Sequence, residues 1–502
     1  MVVMLQYCPS MATSSQSGPL GRAAFTAGID VGTTSVKAVV ADEDGNIVER
    51  ARLASALAMG AGGRFEHDAV ATWWESPRLA LRKVLAGQHV QAVAVSAMMP
   101  SVGPVDAAGR PLGPGLLYGD GRGSLRRPPA TGDPATGDPA TGDPATGAPA
   151  AGDSATGDPT GSYEMARLAG WAASQFPEAC GYWPAQAVAN ASLAGPGVID
   201  LASAFATGPL FGGSGWDEVV CRSAGLLPAQ LPGVALFGQA LGKVAGTDAV
   251  LGAGSVDGLC EQLVAGAVDD GDVLVALGST LVVWLCVPGW PGEVPGLWRV
   301  PHFVAGKAMV GGASNAGGMW VDWVDRVLRP GGEVGVNGGG DLRAENVPLW
   351  WPWARGERVP WHDADLRIGL RGADLSQGPL CLRRAAFEAS AFVVRHIVET
   401  ASICGTKPGR FIVSGGGTAN SAWLQALADV LGRPVVPVAV PETAALGAAF
   451  LARMAAGLES SIEDALRWAR WRAPVEPRRN WAEAVARRYQ LWSEELPRVR
   501  SS

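Results

Sequence analysis

Apolar, β-branched runs alternate with helix-periodic segments along most of the chain. In residues 24–42 such runs flank a Gly-Thr-Thr-Ser turn, and an Asp-Gly pair supplies a second tight turn before residues 46–49. Two tight turns between apolar runs predict a three-stranded antiparallel meander. Residues 72–85 then carry apolar side chains at helical spacing, and residues 90–96 are typical of a strand. This alternation of strand and helix indicates the α/β class.

A second block of the same kind follows a composition shift at residues 246–248. The predicted elements are strands at 249–251, 272–277, 281–286 and 411–413, a helix over 382–403, a helix that ends at Gly432, and two capped helices that begin near residues 460 and 480. We therefore expect an N-terminal lobe over residues 24–247, a C-terminal lobe over 248–457, appended helices over 458–502 and a cleft between the lobes.

Two segments lack the apolar side chains that a core needs. Residues 128–160 repeat the unit Pro-Ala-Thr-Gly-Asp with a period of five before the pattern degenerates. Such a run cannot bury enough surface to offset the entropy of ordering, so it predicts a disordered surface insertion, with a partner-binding arm as the alternative. Residues 1–23 are expected to be a disordered leader, and Met11 is an alternative start.

Composition narrows the class of function. Of the 502 residues 48% are hydrophobic and 17% are charged, and the formal net charge is −7. This balance indicates a globular protein without the basic surface that binds nucleic acid. No apolar run is long enough to span a bilayer, and the N-terminus lacks the pattern of a secretory signal. We expect a cytoplasmic protein that acts on a small molecule, with no nucleic-acid or membrane partner.

Cysteine and histidine argue against a metal site built from protein ligands alone. The seven cysteines are widely scattered with no C-x-x-C pair, and the five histidines form no close pair. This usage is typical of reduced, mostly buried thiols and argues against a disulfide framework or structural zinc. Any metal is expected to arrive with a ligand.

The turn after the first predicted strand has the chemistry of a phosphate site. Asp30 ends the apolar run, Gly32, Thr33 and Thr34 form the turn, and Lys37 follows three residues later. Backbone N–H groups and hydroxyls of such a turn can cradle phosphate oxygens, and the carboxylate could organise Mg²⁺ through water. An ordinary hairpin with polar turn residues is the alternative.

Two further glycine turns repeat this chemistry. Gly278 and Ser279 lie between two apolar strands, and three consecutive glycines at 415–417 lie between a strand and a helix. Three glycines let the backbone approach a flat ligand closely, and the start of the following helix favours negative charge. A plain strand-to-helix turn would need one glycine.

Asp257 is the candidate catalytic residue. It lies between glycines at mid-chain, near the expected lobe boundary. A carboxylate there can take the proton of a substrate hydroxyl while the hydroxyl oxygen attacks a γ-phosphate. The alternative is a helix N-cap for the segment from Leu259 to Val264.

Four motifs together resemble the FGGY carbohydrate kinases, most of all their xylulokinase branch. The match runs from about Ala24 to Gly457 and breaks at the repeat insertion, and the motifs are specific as a set although none is specific alone. They are Gly28-Ile-Asp-Val-Gly-Thr-Thr34, Ser255-Val-Asp-Gly258, Pro352-Trp-Ala-Arg-Gly-Glu-Arg-Val-Pro360, and Gly415-Gly-Gly417 followed by Trp423, Ala428-Asp429 and Ala445-Leu-Gly-Ala-Ala449.

The resemblance implies two actin-like (ribonuclease H-like) ATPase lobes, ATP with Mg²⁺ as the phosphoryl donor, and a sugar or polyol in the cleft. It assigns the general-base role to Asp257, and it places Asp30, through water, and Asp257 at the metal. The residues that it places at the nucleotide are Gly32, Thr33, Thr34, Lys37, Gly278, Ser279, Gly317, Gly416, Gly417, Asn420 and Ser421. Those on the sugar side are Met99, Pro100, Asp120, Arg122 and Asp257.

One departure from the family pattern concerns the acceptor. Where xylulokinases typically have Ser-Gly-Gln-Met-His-Gly, this chain has Ser96-Ala-Met-Met-Pro-Ser101. Met98 and Pro100 replace two hydrogen-bonding side chains, a loss of roughly 1–3 kcal/mol each that can change the preferred sugar. The leading hypothesis is a kinase that converts D-xylulose to D-xylulose 5-phosphate. Ribulose, gluconate or a glycerol-like acceptor remains open.

Two other classes remain open as well. The first motif also occurs in chaperone-like and filament-forming ATPases, although the 352–360 segment argues against them. A sensor that binds a sugar without phosphorylating it would explain the lost polar groups, although Asp30, Asp257 and the triple glycine are retained. We include a homodimer among the expected assemblies.

Overall fold

The computed structural model describes residues 24–123, 164–328, 342–440 and 442–501. The expected leader over 1–23 and the repeat insertion over 128–160 lie outside the described residues. No helix in the described ranges is long and apolar enough to cross a membrane.

The strands follow in chain order. They are β1 (Phe25–Val31), β2 (Ser35–Ala41), β3 (Ile47–Ala54), β4 (Leu57–Gly60), β5 (Arg64–His67), β6 (Val90–Ala97), β7 (Ser101–Val105), β8 (Gly115–Leu117), β9 (Gly181–Trp183), β10 (Val198–Asp200), β11 (Gly233–Ala235), β12 (Ala240–Lys243), β13 (Val250–Val256), β14 (Val273–Leu277), β15 (Leu281–Pro288), β16 (Trp298–Pro301), β17 (Lys307–Ser314), β18 (Leu349–Trp351), β19 (Gly369–Arg371), β20 (Phe411–Ser414) and β21 (Val435–Pro437).

The helices are α1 (Ser76–Val84), α2 (Glu164–Gln175), α3 (Ala185–Ala194), α4 (Leu201–Phe205), α5 (Glu218–Ser223), α6 (Asp257–Ala265), α7 (Gly318–Leu328), α8 (Pro379–Ala401), α9 (Ser421–Leu431), α10 (Thr443–Ala455) and α11 (Ala482–Ser501). A π-helical turn, Val70–Glu75, leads into α1. Short 3₁₀ helices include Gly416–Ala419 after β20 and Ile462–Trp468 after α10.

The first lobe is built on a six-stranded sheet with the order β12-β13-β6-β1-β2-β3. The meander β1-β2-β3 is antiparallel, as the turn signals predicted, whereas β6 and β13 are parallel to β1 and to each other. α1 and α3 pack on one face of this sheet, and α10 packs on the other. The strands buried on both faces are accordingly almost continuous apolar runs.

The second lobe repeats the plan with a six-stranded sheet in the order β16-β17-β15-β14-β20-β21. β14 and β15 form an antiparallel hairpin, and β20 is parallel to β14 and β21. α8, whose apolar positions were predicted from their helical spacing, is buried between this sheet and the neighbouring helices α7 and α9. Two such sheets form the two-lobed actin-like architecture.

The lobe boundary expected at residue 247 is not where the structure divides. β13 pairs with β6 in the first sheet, with Leu251 opposite Val93. α10, near the end of the expected second lobe, packs on β1, β6 and β13. A composition shift marks a local change and carries no information on which sheet a strand joins, so the boundary prediction failed here. α6 is the connection between the sheets.

Two glycines bring α10 unusually close to its neighbours. A Cβ on Gly28 of β1 would lie 1.9 Å from the carbonyl oxygen of Ala445, and one on Gly447 would lie 2.0 Å from the carbonyl oxygen of Cys260 in α6. Both contacts are with backbone atoms, which no side-chain rotation can clear. α10 is therefore seated between β1 and α6 by backbone contact.

Candidate active site

The ends of the parallel strands in the first sheet bring the predicted catalytic residues together. Asp30 on β1 and Ser255 on β13 both lie opposite Ser96 on β6, the strand between them. Asp257 follows two residues after Ser255, as the first residue of α6. Because parallel strands end at the same edge, the two aspartates lie at one edge of the sheet.

Asp257 is not the N-cap of its helix, which was the alternative interpretation. Val256 occupies the capping position, and the Asp257 carboxylate accepts a hydrogen bond of 2.8 Å from the backbone N–H of Gly258. Burial, reinforced by the charge of Asp30, raises the pKa of Asp257 to about 7. A carboxyl with a pKa near neutrality can both take up and release a proton at physiological pH.

Lys37 balances part of this negative charge. Its Nζ lies 3.3 Å from Oδ2 of Asp30, across the β1-β2 pair. The charge of Asp30 raises the pKa of Lys37, so its ammonium group stays protonated. The pair therefore places a fixed cation beside the two aspartates.

The sequence analysis missed a third acidic residue, Glu261. It lies four residues after Asp257 on α6, a spacing that places both side chains on one helix face. Its carboxylate accepts a hydrogen bond of 3.2 Å from Oγ of Ser414, at the end of β20 in the second lobe. Burial, together with the charges of Asp257 and Asp30, raises the pKa of Glu261 to about 8. The i,i+4 spacing was the available signal for this residue.

The first glycine turn is held by buried side chains. Gly32 N–H donates to the carbonyl of Ser35 over 3.1 Å and closes the turn. Oγ1 of Thr33 is 2.6 Å from the hydroxyl of Tyr118, and Nε2 of His67 is 2.7 Å from the Thr33 carbonyl. Thr33 is thus fixed through both its side chain and its backbone.

His67, which the sequence analysis did not single out, is a neutral donor in this arrangement. Trp73 Nε1–H donates to Nδ1 of His67 over 2.9 Å, so the ring proton resides on Nε2 and is donated to Thr33. Burial lowers the pKa of His67 to about 4. The imidazole therefore stays uncharged and ties the turn to the buried Trp73.

The second glycine turn faces the first across the cleft. Oγ of Ser279, in the β14-β15 turn, lies 3.3 Å from Oγ1 of Thr34. The carbonyl of Gly278 accepts from Gly318 N–H at 2.8 Å, and a Cβ on Gly317 would lie 2.2 Å from the carbonyl carbon of Thr280. Gly317 is required because the start of α7 lies against this turn.

The triple-glycine turn follows β20 in the same sheet. Gly415 has a φ of 84°, a conformation that favours glycine, and a Cβ on Gly417 would lie 2.6 Å from Cβ of Leu277. Asn420 caps α9, and its side chain accepts from Trp423 N–H at 3.2 Å. Gly416 and Ser421 are exposed at the start of this unit. The structure thus brings the second and third turns side by side.

The predicted sugar-side residues divide into two groups. Met99 and Pro100 are half-buried after β6, and the carbonyl of Pro100 accepts from Tyr118 N–H at 3.0 Å, so this segment lies beside the Thr33 turn. Asp120 instead accepts hydrogen bonds from Arg122 and from Phe65 N–H. With its side chain fully buried, Asp120 serves to hold Arg122, which also pairs with Glu66.

Two arginines reach from the second lobe to this side of the first. Arg355 lies 3.5 Å over the ring of Phe65, and its Nη2 donates to the carbonyl of Gly119 over 3.3 Å. Arg358 lies 4.7 Å over the ring of Tyr118. Both belong to the 352–360 segment, whose roles the sequence analysis left unassigned.

The site chemistry suits a metal that arrives with a ligand. In the described ranges no three His, Cys, Asp or Glu side chains are placed to hold a metal ion by themselves. Burial first, and then the charge of Asp30, raises the pKa of both Asp257 and Glu261, so three carboxyl groups share this region with one cation, Lys37. Carboxylate oxygens with water and phosphate are the ligands that Mg²⁺ prefers, and the donor set fits that ion.

Two family models match parts of both lobes. Residues 25–125 match the N-terminal domain of the FGGY family of carbohydrate kinases, and residues 293–456 match the C-terminal domain of the same family. Together they cover more than half of the chain and include the glycine turns near residues 32 and 415.

Known proteins give a consistent picture. The chain is 24% identical over 486 residues to xylulose kinase from Escherichia coli (strain K12), covering 88% of this chain and 92% of that protein. It is 26% identical over 273 residues to xylulose kinase from Bacillus subtilis (strain 168), which covers 50% of this chain and only about half, 52%, of that protein. The crystal structure of gluconate kinase from Lactobacillus acidophilus superposes with a TM-score of 0.75 at 19% identity, covering 96% of this chain and 99% of that one.

Proposed function

The chain belongs to the FGGY family of carbohydrate kinases and is an ATP-dependent sugar kinase; from this we propose that its acceptor is a ketose or polyol, with D-xylulose as the first candidate and D-xylulose 5-phosphate as the product. The observation that carries the proposal is the placement of Asp257 at the sheet edge that also holds Asp30, Lys37 and the Thr33-Thr34 turn. A carboxylate, a fixed cation and phosphate-type turns at one edge are the parts that phosphoryl transfer needs.

Asp257 is the general base in this proposal. Its carboxylate accepts the proton of the acceptor hydroxyl as the hydroxyl oxygen attacks the γ-phosphorus. The bond between the γ-phosphorus and the β,γ-bridging oxygen breaks, and ADP leaves with that oxygen. The buried surroundings that raise the pKa of Asp257 also favour uptake of that proton. Burial further keeps water from competing with the acceptor.

Groups on both lobes stabilise the charge of the phosphates. We assign this role to Lys37, to the hydroxyls of Thr34 and Ser279, and to backbone N–H groups of the three turns other than that of Gly32, all at the gap between the lobes. Mg²⁺, held through Asp30 and the second carboxylate Asp257, would supply charge neutralisation on the phosphate oxygens. The Thr34–Ser279 contact brings the lobes together at this gap, so closure of the lobes assembles the donors.

The choice of D-xylulose is supported by the relatives named xylulose kinase, one of which aligns over nearly its whole length. The departure from the family pattern at residues 96–101 argues against D-xylulose as the acceptor. Met98 is buried, and the side chains of Met98, Met99 and Pro100 have no polar atom that binds a sugar hydroxyl strongly. Gluconate, ribulose and glycerol-like polyols are therefore the acceptors to compare with it.

A coupled ADP-release assay over pentuloses, hexuloses, polyols and aldonates tests the proposal. We expect ADP release that depends on the acceptor, with the highest kcat/KM on D-xylulose. A higher kcat/KM on another acceptor would identify that acceptor as the preferred substrate in place of D-xylulose. ATP hydrolysis at the same rate with and without an acceptor would contradict the assignment of this site as a kinase site.

His67 offers a second test, directed at the phosphate turn. In His67→Phe the Thr33 carbonyl and the Trp73 indole N–H each lose a buried partner, at about 1–3 kcal/mol per group. We expect the KM for ATP to rise about tenfold or more, because the freed turn no longer presents its donors in a fixed geometry.

The controls separate positioning from general destabilisation. His67→Gln keeps a donor and an acceptor and should recover much of the KM, and His89→Phe changes an exposed histidine and should behave as wild type. A His67→Phe enzyme with the wild-type KM for ATP would show that the hydrogen bond does not position the turn.

A further inference from the structure

Arg358 differs from the other buried arginines of the described chain in its lack of an anionic partner. Arg384, Arg453 and Arg488, each no more than 7% exposed, all form ion pairs with carboxylates. Arg358 is 8% exposed and forms no ion pair with any residue that the structure describes. Its Nε is buried without a hydrogen-bond acceptor.

Aromatic rings take the place of a carboxylate around Arg358. The guanidinium lies 4.7 Å from the ring centre of Tyr118 and 5.3 Å from that of Trp298. These faces attract a cation, but they supply no acceptor for its N–H groups. A buried guanidinium is expected to bind an oxyanion, since an unpaired buried charge is costly.

The neighbouring carboxylate of Glu357 does not fill this role. Its oxygens accept hydrogen bonds from Ser314 Oγ at 2.7 Å, from Asn315 N–H at 2.8 Å and from the backbone N–H of Arg358 at 2.7 Å. Glu357 thereby fixes the backbone that carries Arg358. The side chain of Arg358 is left directed at Tyr118.

The position of Arg358 is at the acceptor side of the reaction. Tyr118 contacts the Thr33 turn through its hydroxyl and the Met99-Pro100 segment through its backbone. Arg358 is also close enough to Asp257 for its charge to act on that carboxylate. The guanidinium therefore lies against a residue, Tyr118, that contacts both the phosphate turn and the Met99-Pro100 segment.

We propose that Arg358 binds an oxyanion in the cleft, supplied either by the phosphoryl group under transfer and its sugar ester or by a carboxylate on the acceptor. The proposal rests on the kinase function proposed above and adds a binding residue to it. A guanidinium is suited to both groups because it can donate two parallel hydrogen bonds to two oxygens of one anion.

The experiment compares wild type with Arg358→Met, which removes the charge at similar length, and Arg358→Lys, which retains it. The control is Arg367→Met. Arg367 is exposed, and its guanidinium donates hydrogen bonds to the backbone carbonyls of Ala364 and Leu366. Binding of inorganic phosphate in the presence of saturating ADP is measured by calorimetry. We expect Arg358→Met to weaken it about tenfold or more and Arg358→Lys to weaken it less.

Kinetics distinguish the two sources of the oxyanion. A lower kcat in Arg358→Met on both D-xylulose and D-gluconate assigns Arg358 to the transferred phosphoryl group. A raised KM on D-gluconate alone assigns it to an acceptor carboxylate. Phosphate affinity and all kinetic constants equal to those of wild type would overturn the proposal.

Two features keep the test decisive. Phosphate binding requires no turnover, so a protein that phosphorylates none of the acceptors would disprove the proposed function and still report on Arg358. Should Arg358→Met fail to fold, wild type and Arg358→Lys suffice. Arg358→Lys is then expected to show a smaller rise in the Tm of its ADP complex with phosphate, or a raised KM on D-gluconate. An equal phosphate effect on both proteins, together with an unchanged KM on D-gluconate, overturns the proposal.

Discussion

Asp257→Asn is expected to reduce kcat about 10³-fold while ATP binding persists, because asparagine keeps the size of the side chain and cannot accept the hydroxyl proton. The structure places this carboxylate at the sheet edge beside Asp30 and Lys37, and burial gives it a pKa of about 7. Steady-state ADP release measures the loss, and calorimetry with ATP measures the retained affinity.

The matched control is Asp248→Asn, which removes an exposed aspartate that pairs with Lys243 on the surface. This variant should keep the wild-type kcat. Turnover by Asp257→Asn within a few-fold of wild type would exclude Asp257 as the base, and a joint loss of turnover and ATP binding would indicate a collapse of the cleft.

Gly28→Ala is expected to lower the free energy of unfolding by about 3 kcal/mol or more, the upper part of the range for overpacking. The added Cβ would lie 1.9 Å from the carbonyl oxygen of Ala445 and 2.5 Å from the N of Ala449, so α10 must move away from β1. Since Asp30 lies two residues along the same strand, activity should fall with stability. Denaturant unfolding followed by circular dichroism measures the effect.

Gly292→Ala is the control for this variant, because a Cβ there meets no atom within 4 Å and its φ is outside the left-handed region. The Gly292→Ala variant should unfold at the same denaturant concentration as wild type. A Gly28→Ala protein as stable as this control would mean that α10 is not seated on β1 by backbone contact.

Local patterns were sufficient to predict the elements that carry the site. The β1-β2 and β14-β15 hairpins, the triple-glycine turn and the start of α9 all depend on glycine and apolar residues that are neighbours in sequence. The parallel ends of β1 and β13 then place Asp257 beside Asp30, as the motif resemblance implied.

The features that could not be predicted depend on contacts between distant segments. His67 matters because its ring reaches the Thr33 carbonyl, and Arg358 because it stacks on Tyr118 from the other lobe. Asp120 and Arg122 were predicted on the sugar side, and their ion pair with each other is a feature that only the geometry reveals. Glu261 is the exception, since its helical spacing from Asp257 was a signal in the sequence that the analysis missed.

The return of α10 to the first sheet affects the order in which the protein can fold during synthesis. Strands β1, β2, β3 and β6 leave the ribosome early, but the helix that covers Gly28 is made after more than three hundred further residues. Until then the apolar face of the nascent sheet needs other protection, such as a chaperone. The first lobe is consequently among the last parts of this enzyme to become complete.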